Sequence, residues 1–265
     1  MIRIRPSSLL LLAIGLVSTS GASAQQPGFA AKLVAPATLT IATTGNAPPM
    51  TTTAADGSVS GFDVELCRGI AEKLGLKAEF VRVDFAATIP GLKSGRFDMI
   101  CSATARTPQR LASPDLFMTE PTVQNFSTLL VKADSVSVKA VADIKGKTAG
   151  TVRGGQETKL LADLFGADVT VTSYPGISEE ILDLKNGRVD AVAMNYITAS
   201  HYAKINPELT VLKPGFVAEG VSPYDHALIV SRNQSELLQA VNAQLAAMKS
   251  SGAIAALTKT WIGAE

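Results

Sequence analysis

Apolar residues recur along the chain in two alternating rhythms. Leu39 and Ile41 point one way within Thr38–Thr43, the period of a strand. After a loop holding Pro48-Pro49 and Asp56-Gly57, residues Val64, Cys67, Ile70, Ala71 and Leu74 fall at helical spacing. This pattern predicts a helix capped by Asp63, running to Leu74 and stopped by Gly75. A strand over 78–83 follows, then a short helix over 88–93 with Pro90 in its first turn, then a strand over 97–103. The rhythm resumes with a strand at Thr148–Val152, a helix over 157–165, a strand over 169–173, a helix capped by Ser178 and a strand over 191–194. A strand over 227–231 leads to helices over 235–249 and Ala253–Trp261, parted by Ser250-Ser251-Gly252. Such alternation predicts an α/β fold with largely parallel sheets and helices on their faces.

An internal echo divides the pattern in two. Leu92-Lys93-Ser94-Gly95-Arg96-Phe97-Asp98 returns as Leu184-Lys185-Asn186-Gly187-Arg188-Val189-Asp190, each time ending a helix and entering an apolar strand. Any helix–Gly–strand junction shares its glycine by necessity. The common L-K-x-G-R-x-D goes further and favours two similar α/β units. Leu238, Val241, Leu245 and Met248 form an apolar stripe near the C-terminus, and the first unit is its natural host. That return path implies two connections, over 122–126 and 220–227. The expected architecture is a two-lobed clamshell, with 25–122 and 227–265 in lobe 1 and 123–226 in lobe 2.

Composition narrows the setting. Arg3 and Arg5, an apolar run over 9–17 and Ala22-Ser23-Ala24 make a secretory leader over 1–24, cut after Ala24. Nine apolar residues are too few to span a membrane, which needs about 20. Loss of Arg3 and Arg5 moves the formal charge from +1 to −1, which argues against nucleic acid or an anionic membrane as partner. Cys67 and Cys101 are the two cysteines; export favours a bridge between them, and a pair of buried free thiols is the other reading. With two scattered histidines they supply too few ligands for zinc, so neither metal nor cofactor is expected.

In open α/β sheets ligands sit beyond the carboxyl ends of the strands. Three stretches qualify: 43–46, which includes Thr44, then 103–110 and 194–196. A fourth is the turn Arg153-Gly154-Gly155-Gln156, where glycines let backbone N–H groups approach an anion at a helix N-terminus. The Gly-Lys-Ser/Thr ending of a P-loop is absent.

Longer motifs carry a family resemblance. They are Gly61-Phe62-Asp63-Val64-Glu65-Leu66, Ile89-Pro90-Gly91-Leu92 running on into the first copy of the echo, and Thr107-Pro108-Gln109-Arg110. Asp143-Ile144-Lys145-Gly146-Lys147 and Asn186-Gly187-Arg188-Val189-Asp190-Ala191-Val192 continue them. Together they resemble the periplasmic amino-acid-binding proteins of ABC transporters, the family-3 solute-binding proteins, over nearly the whole exported chain. The resemblance implies a clamshell (periplasmic-binding-protein-like, type II) that closes on a small carboxylate-bearing solute and delivers it to a membrane permease. It implies an exported, periplasmic monomer that is not an enzyme. It places the carboxylate grip on Arg110, an aromatic wall on Phe85 and further donors at Gly155-Gln156. A guanidinium suits that grip because its planar fork never deprotonates.

Departures from the family pattern bear on the ligand. Asn195 stands where an Asp usually meets the α-ammonium, Ala103 and Ala105 replace small hydroxyl residues, and Ala47 replaces a second aromatic. At Ala103 and Ala105 the backbone N–H groups are expected to remain as donors. Arg106 and Arg153 add positive charge near the cleft. The expectation is a carboxylate ligand other than a standard α-amino acid, such as an organic acid or an N-substituted amino acid. Cyclohexadienyl dehydratases share the fold, and for an enzyme of that kind Asp225, beside His226 in the return connection, is the candidate general acid.

Overall fold

The computed structural model describes residues 28–216 and 225–263. The leader over 1–24, its cut after Ala24 and most of the return connection over 220–227 lie outside the described residues.

Strand β1 (Thr38–Thr43) is followed by a small hairpin of β2 (Thr52–Thr53) and β3 (Val59–Ser60). Helix α1 (Phe62–Lys73) then leads to β4 (Lys77–Arg82), α2 (Phe85–Lys93) to β5 (Met99–Ile100), and the short α3 (Pro108–Leu111) to β6 (Leu116–Met118). The chain next builds β7 (Ser127–Lys132), β8 (Thr148–Val152), α4 (Gln156–Phe165), β9 (Thr170–Tyr174), α5 (Ile177–Lys185), β10 (Ala191–Asn195), α6 (Tyr196–Ile205) and β11 (Leu209–Val211). It closes with β12 (Ile229–Ser231), α7 (Ser235–Ser250) and α8 (Ala253–Trp261).

Two five-stranded sheets result, ordered β4-β1-β5-β12-β6 and β9-β8-β10-β7-β11. Their plans match strand for strand. In each the first three strands run parallel, and the fourth, β12 or β7, runs antiparallel. That fourth strand comes directly from the other sheet, so the chain crosses between lobes twice and the molecule is a two-lobed α/β clamshell. Among the described residues, no helix is long and apolar enough to cross a membrane.

The sequence echo is a structural one. Gly95 and Gly187 end α2 and α5 at φ 74° and 70°, a left-handed backbone that glycine alone adopts without strain. Arg96 and Arg188 then donate their N–H back to the carbonyls of Gly91 and Asp183. Asp98 Oδ2 accepts the N–H of Thr40 at 2.8 Å, and Asp190 Oδ2 that of Thr148 at 2.9 Å. In both lobes this aspartate ties the strand it enters to the neighbouring parallel strand, β1 or β8. Leu92 and Leu184, which open the echo, are both buried.

Several local expectations need correction. Helix α1 starts at Phe62 with Gly61 before it, and Asp63 is no cap: its carboxylate turns inward to the N–H of Ala103. Helix α2 begins three residues early, at Phe85, so Pro90 sits inside it. Pro90 has no N–H for the carbonyl of Ala86, but both residues are exposed and water can satisfy that oxygen. Helix α5 is preceded by Gly176, because Pro175-Gly176 makes the turn and Ser178 falls inside the helix. Strand β5 is only two residues long, since Ala103 turns left-handed (φ 47°) just beyond it. On α7 the buried stripe is Leu237, Val241, Leu245 and Met248; Leu238 lies a residue off that face.

That stripe packs into the lobe 1 core with Leu39, Ile41, Phe62, Leu66 and Ile70, as its period requires. Cys67 on α1 and Cys101 beyond β5 are bridged, closing a sequence separation of 34. In the chain-entropy picture a loop of that size contributes about 4 kcal/mol to stability.

Candidate functional site

The strands of both lobes end at a cleft of about 640 Å³, counting its open mouth. Lobe 1 lines it with Thr44, Asn46, Ala47, Phe85, Ser102, Ala103, Ala105 and Arg110, and the return connection adds His226. Lobe 2 contributes Val152, Gly155, Gln156, Glu157, Pro175, Ile177, Glu180, Ala193, Met194 and Asn195. The lobes touch at its edges. An added Cβ on Gly154 would lie 3.1 Å from Cα of Ala86, and one on Gly176 would lie 2.6 Å from Nδ2 of Asn46.

Arg110 is held from several sides. Thr107 caps α3, its Oγ1 accepting the N–H of Arg110 at 3.2 Å. The guanidinium carbon stands 5.6 Å from the centre of the Phe85 ring, within cation–π range. Nη1 donates to the carbonyl of Ala105 at 2.8 Å, and Nη2 reaches across the cleft to that of Gly154 at 3.4 Å. Burial lowers its pKa from the usual value, and Glu157 opposes that shift. An arginine stays charged regardless. Opposite it, α4 begins at Gln156 with Gly155 as the residue before, so the first N–H groups of the helix face the cleft mouth.

The floor is a hydrogen-bonded set. Thr44 donates its N–H to Ser102 Oγ at 3.0 Å, and Ser102 Oγ donates to Thr44 Oγ1 at 3.0 Å. Asp63 holds the strained Ala103 through its N–H at 2.5 Å, so that donor is spent inside the protein and does not remain for a ligand. Full burial pushes the Asp63 carboxyl up to about 7, and the Ala103 N–H pulls the other way.

At the far end Asn195 caps α6. Its Oδ1 accepts from Thr198 N at 3.0 Å and from Asn125 Nδ2 at 3.1 Å. The oxygen is therefore engaged, and Asn195 has only N–H donors left to offer. Asn125 Oδ1 accepts from Phe126 N, so its amide nitrogen is the group 2.8 Å from His226 Nε2. Nε2 must then accept, which assigns the ring proton to Nδ1, a buried atom with no partner among the described residues. Burial, with the charge of Arg110 nearby, lowers the His226 pKa to about 3, so the ring is neutral.

Two glutamates complete the wall. Glu157 Oε1 accepts from Ser127 Oγ at 2.9 Å and from Gln156 Nε2 at 3.4 Å. Glu180 is fully buried, and neither of its oxygens has a partner among the described residues. Burial raises both carboxyl pKa values, well above normal for Glu180, where the charge of Glu157 adds to the effect.

Of the residues singled out from sequence, Thr44, Phe85, Ala105, Arg110, Gln156 and Asn195 share the cleft wall. Arg106, Arg153 and Asp225 do not. Arg106 donates its N–H to the carbonyl of Asp225, tying the two segments together. Arg153 is exposed and its N–H is bound to Tyr174 O. Glu157, Glu180, Ser102 and His226 went unnoticed as site residues. Glu180 had a signal: it falls on the apolar stripe Ile177, Ile181, Leu184 of α5. Glu157 likewise precedes Leu160 and Leu161 on the buried face of α4. A charge on a buried stripe has to be explained by a partner or a ligand.

Two similar lobes, two crossings and a cleft between the strand ends define a solute-binding protein of the clamshell class. The model of bacterial extracellular solute-binding proteins, family 3, matches residues 39–264, and the chain belongs to that family. It is 28% identical to ABC transporter arginine-binding protein 1 of Escherichia coli (strain K12) over 219 residues, 81% of this chain and 86% of that one. It is also 28% identical to the L-cystine-binding protein TcyJ of the same strain over 264 residues, 98% of this chain and 96% of that one. Among solved structures, an ancestral arginine-binding protein bound to glutamine superposes with a TM-score of 0.78 at 31% identity, covering 87% of this chain and all of that one. These relatives are binding proteins, the first of them of an ABC transporter, which supports solute binding over a dehydratase.

Proposed function

We propose that this protein is the exported binding component of an ABC uptake system, holding a small carboxylate-bearing solute between its lobes and presenting it to a membrane permease. The observation that carries this reading is Arg110: a guanidinium rooted in lobe 1, stacked on Phe85, and pointing across the cleft at the first turn of α4. A carboxylate there meets a planar fork from one lobe and free helix N–H groups from the other. His226 Nδ1–H adds a neutral donor on the Arg110 side. Closing the lobes on a ligand joins the two half-sites. The leader over 1–24, cleaved after Ala24, fits a periplasmic monomer, and the relatives' ligands make amino acids the first class to test.

The test is a thermal-shift screen with amino acids and organic acids. A ligand at 100 times its Kd stabilises by about 2.7 kcal/mol, or about 5–10 °C in a chain of this size. Arg110→Ala is expected to abolish the shift, with affinity down by about 100-fold or more. A full shift in that variant sinks the carboxylate grip. As an enzyme, the protein would convert prephenate to phenylpyruvate. Asp225, the acid proposed for that step from sequence, lies outside the cleft wall, and no turnover is expected.

A further inference from the structure

Glu180 is a carboxyl group without a purpose in the protein alone. It is 0% exposed on the inner face of α5, and among the described residues neither of its oxygens has a hydrogen-bond partner. It lines the same cavity as Arg110. The fold makes room for it: across from it Gly150 of β8 has no side chain, and an added Cβ would lie 3.5 Å from Glu180 Cβ. An apolar residue at this point of the stripe would avoid burying an unpaired acid.

Among the described residues, nothing cationic answers it from within the protein. The nearby cations of the lobe are committed elsewhere, Arg188 to Asp183 and Lys185 to Glu208. The groups that act on Glu180, or on which it acts, are Glu157 from α4, Glu179 from its own helix, Tyr174 from β9 and Tyr202 from α6. All are acids or phenols. Asn195 and His226 present donors, so neither can receive a protonated nitrogen.

Resting on the solute-binding reading above, we infer that Glu180 receives a protonated nitrogen of the ligand, which therefore spans the cleft from a carboxylate on Arg110 to a cation on Glu180. The ligand class is a small zwitterion carrying an ammonium or guanidinium group, and the acid that Asn195 lacks comes from a different helix. In the empty cleft burial favours the protonated form of Glu180, whereas a bound cation favours the charged form, so binding is expected to release a proton.

The experiment is isothermal titration of the full chain with the twenty standard amino acids, glutarate and 2-oxoglutarate. Wild type is expected to bind at least one amino acid and neither dicarboxylate. Glu180→Gln is expected to weaken that amino acid by about 30-fold or more. Without ligand the variant is expected to melt no lower than wild type, because an amide replaces an unpaired acid. Wild type titrated in two buffers of different ionisation heat is expected to show proton release on binding, a readout that needs no variant. Unchanged affinity in Glu180→Gln, no proton release, or a dicarboxylate as the best ligand overturns this inference and leaves solute binding standing. No heat from any probe overturns both.

Discussion

Asp63 stands just before an apolar helical stripe, where an aspartate reads as a cap. The structure instead turns it into the core, because Gly61 already starts the helix and Ala103 needs its left-handed backbone pinned. Sequence could not show this, since the partner lies 40 residues away. Its pKa near 7 in the fold, against 3.8 ordinarily, means the folded state holds the proton more tightly. Its contribution is therefore full below about pH 4 and lost as pH rises through 7, with a ceiling of about 4 kcal/mol. Urea unfolding at pH 5 and pH 8 should show wild type losing stability relative to Asp63→Asn at the higher pH; parallel changes would refute the shift. His226 works in the opposite sense, its contribution present above pH 6.5 and lost as pH falls toward 3. That term is common to both proteins and cancels in the comparison.

Helices and strands were legible where the pattern had a clear period. The α7 stripe found its host and missed only by reading Leu238 for Leu237. The two-fold echo marked equivalent junctions, because the L-K-x-G-R-x-D chemistry builds the same turn and the same aspartate tie. The cleft was half legible. Motifs led to Arg110 and Phe85, but the acids were hidden as charged members of apolar faces on α4 and α5. The expectation of an organic acid or an N-substituted amino acid weighed Asn195, Ala103 and Ala105, and left out the carboxyls that α4 and α5 of the second lobe bring to the cleft. At this scale the bridge is the simplest test. Replacing Cys67 and Cys101 together by serine is expected to cost about 4 kcal/mol, seen as a fall of about 8–16 °C in Tm; a loss under about 1 kcal/mol would contradict the entropic account.

On the proposed reading the whole molecule brings two half-sites together, and no sequence pattern reveals how closely the lobes approach. Gly154 shows it: with φ 79° it lies against Ala86 of the opposite lobe, and any side chain there would meet backbone. Gly154→Ala is expected to weaken ligand binding by about tenfold or more through that contact, as titration calorimetry would read; equal affinity would mean the lobes do not need this approach. The central claim is that a carboxylate sits between the lobes on Arg110. It is tested most directly by a crystal structure of the protein with the solute that gives the largest thermal shift. Density is expected between the two sheets, with a carboxylate hydrogen-bonded to the Arg110 guanidinium and to the first N–H groups of α4. A solute bound elsewhere, or one in the cleft with its carboxylate turned away from Arg110, would contradict it.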